Sequence, residues 1–241
     1  MAKAVTLLSG GLDSTTLAYS LEHDYDLICL SFDYGQRHVK EIGAAIALAR
    51  LLKAEHHIIK LGVDYGAYTA PLASVLGPSV LVNQDAAVPD GHYASENMKQ
   101  TVVPNRNAIM LSIAYGIAMA SNAEVVAFGA HAGDHAIYPD CRPEFVHALG
   151  DAFTLGAAWT EDERASSPRL IAPFLDMSKA DIAKLAFYLQ VPIVQTWSCY
   201  KGGDVQCGTC GTCYERREAF QLAGVSDPTP YLDSATVYEA P

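Results

Sequence analysis

No run of roughly 18 consecutive apolar residues occurs in this sequence, so no transmembrane helix is expected. The first residues lack a basic region followed by a long apolar segment and a cleavage site. No secretory signal is expected, and a cytoplasmic location follows. Basic residues are few: 16 Lys and Arg stand against 27 Asp and Glu, a formal net charge of −11. That balance argues against a broad grip on nucleic-acid phosphates, so neither nucleic acid nor a membrane is expected as a partner. Internal repeats and low-complexity segments are also lacking.

What is present begins at Ala4. Ala4 to Leu8 is nearly all apolar and reads as a strand buried on both faces. Ser9, Gly10 and Gly11 follow, and a helix is expected to open near Asp13 and Ser14. A strand feeding a glycine-rich turn into a helix N-terminus is an anion cradle: the glycines let backbone N–H groups approach phosphate oxygens, and the helix dipole adds partial positive charge. The turn has neither the Lys of a Walker A loop nor the G-x-G-x-x-G of a dinucleotide fold. S-G-G-L-D-S-T instead resembles the pyrophosphate loop of the PP-loop ATPases, which split ATP into AMP and pyrophosphate. In that loop Asp13 suits a Mg²⁺ or nucleotide contact, and Ser9, Ser14 and Thr15 can donate hydroxyls to phosphate.

At 241 residues, half of them apolar, the chain suits one large domain or one domain with a small appendix. Further buried strands are expected over Asp26–Phe32, His56–Leu61, Glu124–Gly129 and from Leu170. Helices are expected over Ser14–Glu22, Glu41–Leu52, Ala108–Ser121, Pro143 to about Trp159, Ser178–Leu189 and Glu215–Ala223. Strands alternating with helices predict a doubly wound, mostly parallel sheet with right-handed crossovers. Ligands gather at the carboxyl ends of such strands, which places Asp33, Tyr34, Gln36 and Arg37 to meet a nucleotide. Arg106, in the cap of the Ala108 helix, reads as a phosphate clamp. Residues 130–142 carry His131, Asp134, His135, Tyr138, Asp140, Cys141 and Arg142, too many functional groups for a plain connector. The stretch 62–96 shows no clear periodicity and suits a lid or partner-binding segment.

Four of the six cysteines crowd into Cys199, Cys207, Cys210 and Cys213, with gaps of seven, two and two residues and glycines between them. In a chain without an export signal this reads as metal ligation before disulfides. Four thiolates suit a closed, structural Zn²⁺ site; an iron–sulfur cluster takes four thiolates as well. The composition shifts near Trp197, which divides the chain into a nucleotide-binding α/β domain over 1–195 and a metal-binding segment over 196–241.

Taken together, S-G-G-x-D-S-T-T, F-D-Y-G-Q-R-H, V-P-N-R-N, Y-P-D-C-R and T-W-S-C-Y with C-G-x-C-x-x-C resemble the 7-cyano-7-deazaguanine synthase family of the queuosine pathway. The resemblance spans essentially the whole chain, with the motifs in family order. Asn105 stands where that family more often has Gly, and H-A-I precedes Y-P-D-C-R in place of F-S-G. The resemblance implies a PP-loop (adenine nucleotide alpha hydrolase-like) fold with a C-terminal four-cysteine zinc module, and a homodimer. It implies ATP, Mg²⁺ and Zn²⁺ as cofactors, with 7-carboxy-7-deazaguanine and ammonia as substrates. ATP would be held by Leu8, Ser9, Gly10, Gly11, Leu12, Asp13, Ser14, Thr15, Thr16, Leu17 and Ala18. Ser9, Asp13, Ser14 and Arg106 would be catalytic, with Tyr138, Asp140 and Arg142 at the deazaguanine. Adenylation followed by ammonia attack needs no protein nucleophile, so a packing role is expected for Cys141. The competing readings are another PP-loop adenylating ligase, including one that uses a macromolecular amine in place of ammonia, and a zinc-stabilised nucleotide-binding protein without turnover.

Overall fold

Apolar runs flanked by Gly and polar turns pair here into one parallel sheet. The computed structural model describes residues 1–36, 40–65, 68–71, 79–83, 85–92, 96–158 and 160–233. Strands β1 (Ala2–Leu7), β2 (Tyr25–Asp33) and β3 (Glu55–Lys60) are followed by an antiparallel hairpin, β4 (Gly62–Tyr65) and β5 (Tyr68–Pro71), then by β6 (Val125–Ala127) and β7 (Arg169–Ile171). The sheet order is β3-β2-β1-β6-β7, every pair parallel. The α/β class and the parallel sheet are as the sequence predicts. β7 is the short fifth strand expected near Leu170; it is three residues long, and Pro173 has no N–H to extend the ladder.

The connecting helices are α1 (Leu12–Leu21), α2 (Lys40–Leu51), α3 (Arg106–Ser121), α4 (Pro143–Ala157), α5 (Glu161–Ala165), α6 (Lys179–Tyr188) and α7 (Gly211–Ala223). Period-2 alternation sends Val5, Ile28, Leu30 and Val126 to one face, where Met110, Leu111 and Ala114 of α3 cover them. The small Ala4, Cys29 and Ala127 face the other way and admit Leu17 and Ala18 of α1, Ala45 and Ala49 of α2 and Ile182 of α6. The short α5 escapes the periodicity argument; a capping box between Thr160 and Glu163 starts it. No helix among the described residues is long and apolar enough to cross a membrane.

α7 starts at Gly211, four residues before the expected Glu215, because the turn holding Cys213 is already helical. It packs on α6 and the start of α1 through Leu12, Ala183, Ala186, Ala219 and Phe220. Part of the unassigned 62–96 stretch docks on the same region. The Asp90 backbone bridges to Cys210, Lys201 Nζ lies 2.6 Å from Asp90, and Val88 packs among the cysteines.

The chain reverses direction across the sheet between β1 and β6. In a parallel sheet that switch point, at the carboxyl ends of the strands, is where the loops part and leave a crevice.

Candidate active site

The crevice is an open-sided cleft floored by the ends of β1, β2 and β6. Its central feature is the turn after β1. Gly10 sits at φ +91°, and a Cβ there would collide with the Glu41 carbonyl oxygen and the Ala45 amide. Only glycine lets α2 approach this closely. Gly11 is the N-cap of α1 and offers no side chain, so the first-turn N–H groups are not capped by the residue that precedes them. The hydroxyls are organised around the turn: Ser9 Oγ lies 2.9 Å from Ser14 Oγ, and the Ser9 N–H donates to Ser14 Oγ at 3.1 Å. At Gly129 a Cβ would stand 3.3 Å from the Asp13 carbonyl carbon, so β6 closes on the loop from the other side.

Asp13 is tied to charges far away in sequence. Lys179 Nζ, on the first residue of α6, lies 2.6 Å from Asp13 Oδ2 and 3.4 Å from Glu215 Oε2 on α7. Burial alone would raise the Asp13 pKa, but the positive charge and hydrogen bond of Lys179, with His131 and Arg216 nearby, hold it below the usual carboxylate range. The same carboxylates raise the Lys179 pKa against the effect of burial, so it stays charged. Asp13 Oδ1 is buried and has no hydrogen-bond partner among the described residues.

The far end of the cleft is aromatic and cationic. Arg106, at the start of α3, donates from Nη1 to the Tyr34 hydroxyl at 3.4 Å, and the rings of Tyr138 and Tyr200 complete the wall. Asn105 before it has φ +51° and ψ +24°, a left-handed conformation that Asn tolerates better than most residues. Burial pushes the Glu41 carboxyl up to about 8, against the attraction of Arg106.

Beside the cleft the sulfurs of Cys199, Cys207, Cys210 and Cys213 all lie within 4.8 Å of one another. Cys207 Sγ and Cys213 Sγ are 3.8 Å apart, matching the edge of about 3.8 Å of a tetrahedron with metal–sulfur bonds of about 2.3 Å. Backbone N–H groups of Cys207, Thr209 and Cys210 point at the sulfurs, which favours thiolates. The quartet fits a single bound metal ion.

A family model described as Queuosine biosynthesis protein QueC matches residues 3–224. The chain belongs to the QueC family. It is 51% identical over 232 residues to a 7-cyano-7-deazaguanine synthase of Rhizobium etli (strain CIAT 652), covering 96% of this chain and 92% of that one. It is 51% identical over 233 residues to a protein of the same name from Brucella anthropi, covering 96% of this chain and 94% of that one. The fold of this QueC family member has the expected α/β character: a five-stranded parallel sheet with helices and a four-cysteine group near its C-terminal end.

The expected site residues fall into two groups. Leu8, Ser9, Gly11, Leu12, Asp13, Ser14, Arg106 and Tyr138 line the cleft, as do Tyr34 and Gln36. Arg37 lies outside the described residues. Thr15 and Thr16 turn their hydroxyls to the helix carbonyls of Gly11 and Leu12, and Leu17 and Ala18 are core residues beneath the sheet. A helix can point only one face at a ligand, which separates these four side chains from the cleft. Asp140 and Arg142 stand behind the Tyr138 wall. Asp140 Oδ2 accepts from the Asn107 N–H at 2.9 Å, and Arg142 Nε donates to the His135 carbonyl at 2.9 Å. Cys141 accepts from Asn107, and burial raises its thiol pKa far out of the reactive range. Sequence reasoning missed Glu41, Lys179, Tyr200 and Glu215. Lys179 carried one signal, its place directly after the Ser178 cap of α6.

Proposed function

We propose that this chain uses ATP to convert 7-carboxy-7-deazaguanine and ammonia to 7-cyano-7-deazaguanine. The observation that carries the reading is a single cleft in which an uncapped glycine turn with Asp13 and Lys179 faces a wall of Arg106 and three tyrosines. One end suits a triphosphate and the other a planar aromatic acid, and membership of the QueC family selects the acid.

The chemistry requires two activations, because neither carboxylate oxygen leaves by itself at neutral pH. A carboxylate oxygen attacks the α-phosphorus of ATP and releases pyrophosphate. Ammonia then attacks the acyl carbon, AMP leaves with the first oxygen, and the amide remains. The amide oxygen repeats the attack on a second ATP, and loss of AMP and the N–H protons leaves the C≡N bond. Each nitrile therefore costs two ATP and yields two AMP and two pyrophosphate.

Ser9, Ser14 and the N–H groups of Gly11, Leu12 and Asp13 would cradle the pyrophosphate as its bond breaks. Arg106 would face the carboxylate and the charge that develops between it and the α-phosphate. Tyr34, Tyr138 and Tyr200 would sandwich the deazapurine ring, while Asp140 and Arg142 hold the Tyr138 segment in place. Asp13 Oδ1, buried and without a hydrogen-bond partner among the described residues, fits a carboxylate ligand for Mg²⁺, which when bound neutralises phosphate charge. The cysteine quartet fits Zn²⁺, since four sulfurs within reach of one ion leave no room for the extra iron and sulfide atoms of a cluster. The segment 196–241 then acts as a zinc module on the 1–195 domain. The chain acts in the cytoplasm, where its thiols stay reduced, and as a homodimer, the assembly the family resemblance implies.

The test is incubation with ATP, Mg²⁺, ammonium and 7-carboxy-7-deazaguanine, with products followed by mass. Nitrile with two AMP per nitrile supports the reading. Pyrophosphate release without nitrile keeps the adenylation and moves the substrate; no ATP turnover favours a binding protein.

A further inference from the structure

Glu215 is a carboxylate in an unusual place. It stands on α7, whose N-cap is Cys210 and whose first turn contains Cys213, yet its side chain reaches the nucleotide cleft. It is buried, and its Oε2 lies 3.4 Å from Lys179 Nζ, which in turn lies 2.6 Å from Asp13 Oδ2. Three elements remote in sequence, α7, α6 and the first turn of α1, thus meet in one line of alternating charge. Gly133 makes room for it: a Cβ there would come within 3.2 Å of Glu215 Oε1 and 2.9 Å of the buried His131 ring.

A lysine placed between two carboxylates is fixed by both. With Asp13 alone, the four-carbon stem of Lys179 would be free to swing toward phosphate and drag the carboxylate with it. With Glu215 on its other side, the ammonium is held from both directions, and Asp13 is fixed through its Oδ2 at the lining of the cleft. We infer that Glu215 is a positioning residue for the ATP reaction, acting through Lys179 to fix Asp13, so that the helix anchored at the cysteine quartet sets the geometry of the phosphate loop. This rests on the reading of the cleft as an ATP site.

The experiment is calorimetric titration of the purified, metal-replete protein with ATP and Mg²⁺, without the acid so that no turnover occurs. Four variants are compared: Glu215→Gln, Lys179→Met, the double variant, and Gly133→Ala. Melting temperature and bound metal are measured on each. Glu215→Gln is expected to keep its metal and melting temperature while losing about tenfold in ATP affinity. Lys179→Met is expected to lose at least as much, and adding Glu215→Gln to it to cost nothing further, because the two act in series. Gly133→Ala, which touches neither lysine nor cysteine, is expected to reproduce the Glu215→Gln loss, and it decides the matter if Glu215→Gln does not fold. Unchanged affinity in Glu215→Gln or Gly133→Ala overturns the inference, as do losses that multiply in the double variant, or a loss that tracks departure of the metal. Failure of the wild-type protein to bind ATP would instead remove the proposed function, a separate outcome.

Discussion

The Asp140 carboxylate accepts a hydrogen bond from the backbone N–H of Asn107 at 2.9 Å, so a loop 33 residues downstream caps helix α3. The α3 N-cap residue, Asn105, makes no side-chain cap of its own. The bond pins the Tyr138–Cys141 segment to the helix that carries Arg106. Asp140→Ala is expected to destabilise the fold by about 1–3 kcal/mol, since it strands a buried donor. Asp140→Asn, which keeps an acceptor oxygen, should lose less. Urea denaturation of the two variants measures the difference.

The two glycines that frame the turn after β1 differ in how much they forbid. Gly10 has φ +91° and backbone atoms pressed against the position of a Cβ, whereas Gly129 has ordinary φ and contacts of 3.3–3.4 Å. Gly10→Ala is expected to abolish pyrophosphate release and to cost about 1–3 kcal/mol from the backbone strain alone. Gly129→Ala should retain the fold and lose activity in part. Equal effects of the two would show that the close approach of α2 to Gly10 is unimportant.

Burial governs the thiols outside the quartet. It pushes the Cys29 pKa up to about 12 and raises that of Cys141 further, so neither supplies thiolate near neutral pH. Native protein treated with iodoacetamide at pH 8 is expected to leave both unmodified until it is unfolded, as peptide mass mapping would reveal. Removal of the metal by a chelator should expose the quartet to alkylation while these two stay protected. Cys141→Ser should remain active.

Glu41 gives the protein a pH signature. Burial pushes its carboxyl from the ordinary glutamate value of 4.5 up to about 8. A group raised in the folded state stabilises fully below its unfolded pKa, and that contribution is lost as pH rises through the folded value. Wild-type stability should therefore fall between about pH 5 and pH 8 by an amount that Glu41→Gln does not share. Denaturation of both proteins at several pH values tests this; parallel curves would contradict it.

Arg216 is fully buried in α7, and its guanidinium donates to Thr196 Oγ1 at 2.7 Å, Thr229 Oγ1 at 2.6 Å and the Ile193 carbonyl at 3.1 Å. It thereby joins α7 to the strap before the cysteines and to the chain after the helix. Arg216→Met removes those bonds and leaves their acceptors buried. A loss of about 3–5 kcal/mol is expected, with the metal released at a lower temperature than in wild type.

Local chemistry determined much of this protein by itself. Apolar runs gave β1, β2 and β6, whose central residues are buried on both faces, whereas β3 is a largely exposed edge strand. The Gly10–Gly11 turn marked the close approach of the chain after β1 to α2, because a Cβ at Gly10 would collide with the Glu41 carbonyl and the Ala45 amide. Four cysteines within fifteen residues announced a metal site because their spacing alone brings the sulfurs together. Tertiary structure decided the rest. Asp13 and Lys179 are 166 residues apart, and no periodicity relates them. Glu215 reads locally as an ordinary helix acid and becomes a site residue only when α7 packs on α6. Asp140 and Arg142 stand in a motif of functional groups, and the fold gives them backbone partners that the sequence does not reveal, the Asn107 N–H and the His135 carbonyl. Which atom a polar side chain meets depends on the packing of distant elements, and sequence pattern fixes only the elements themselves.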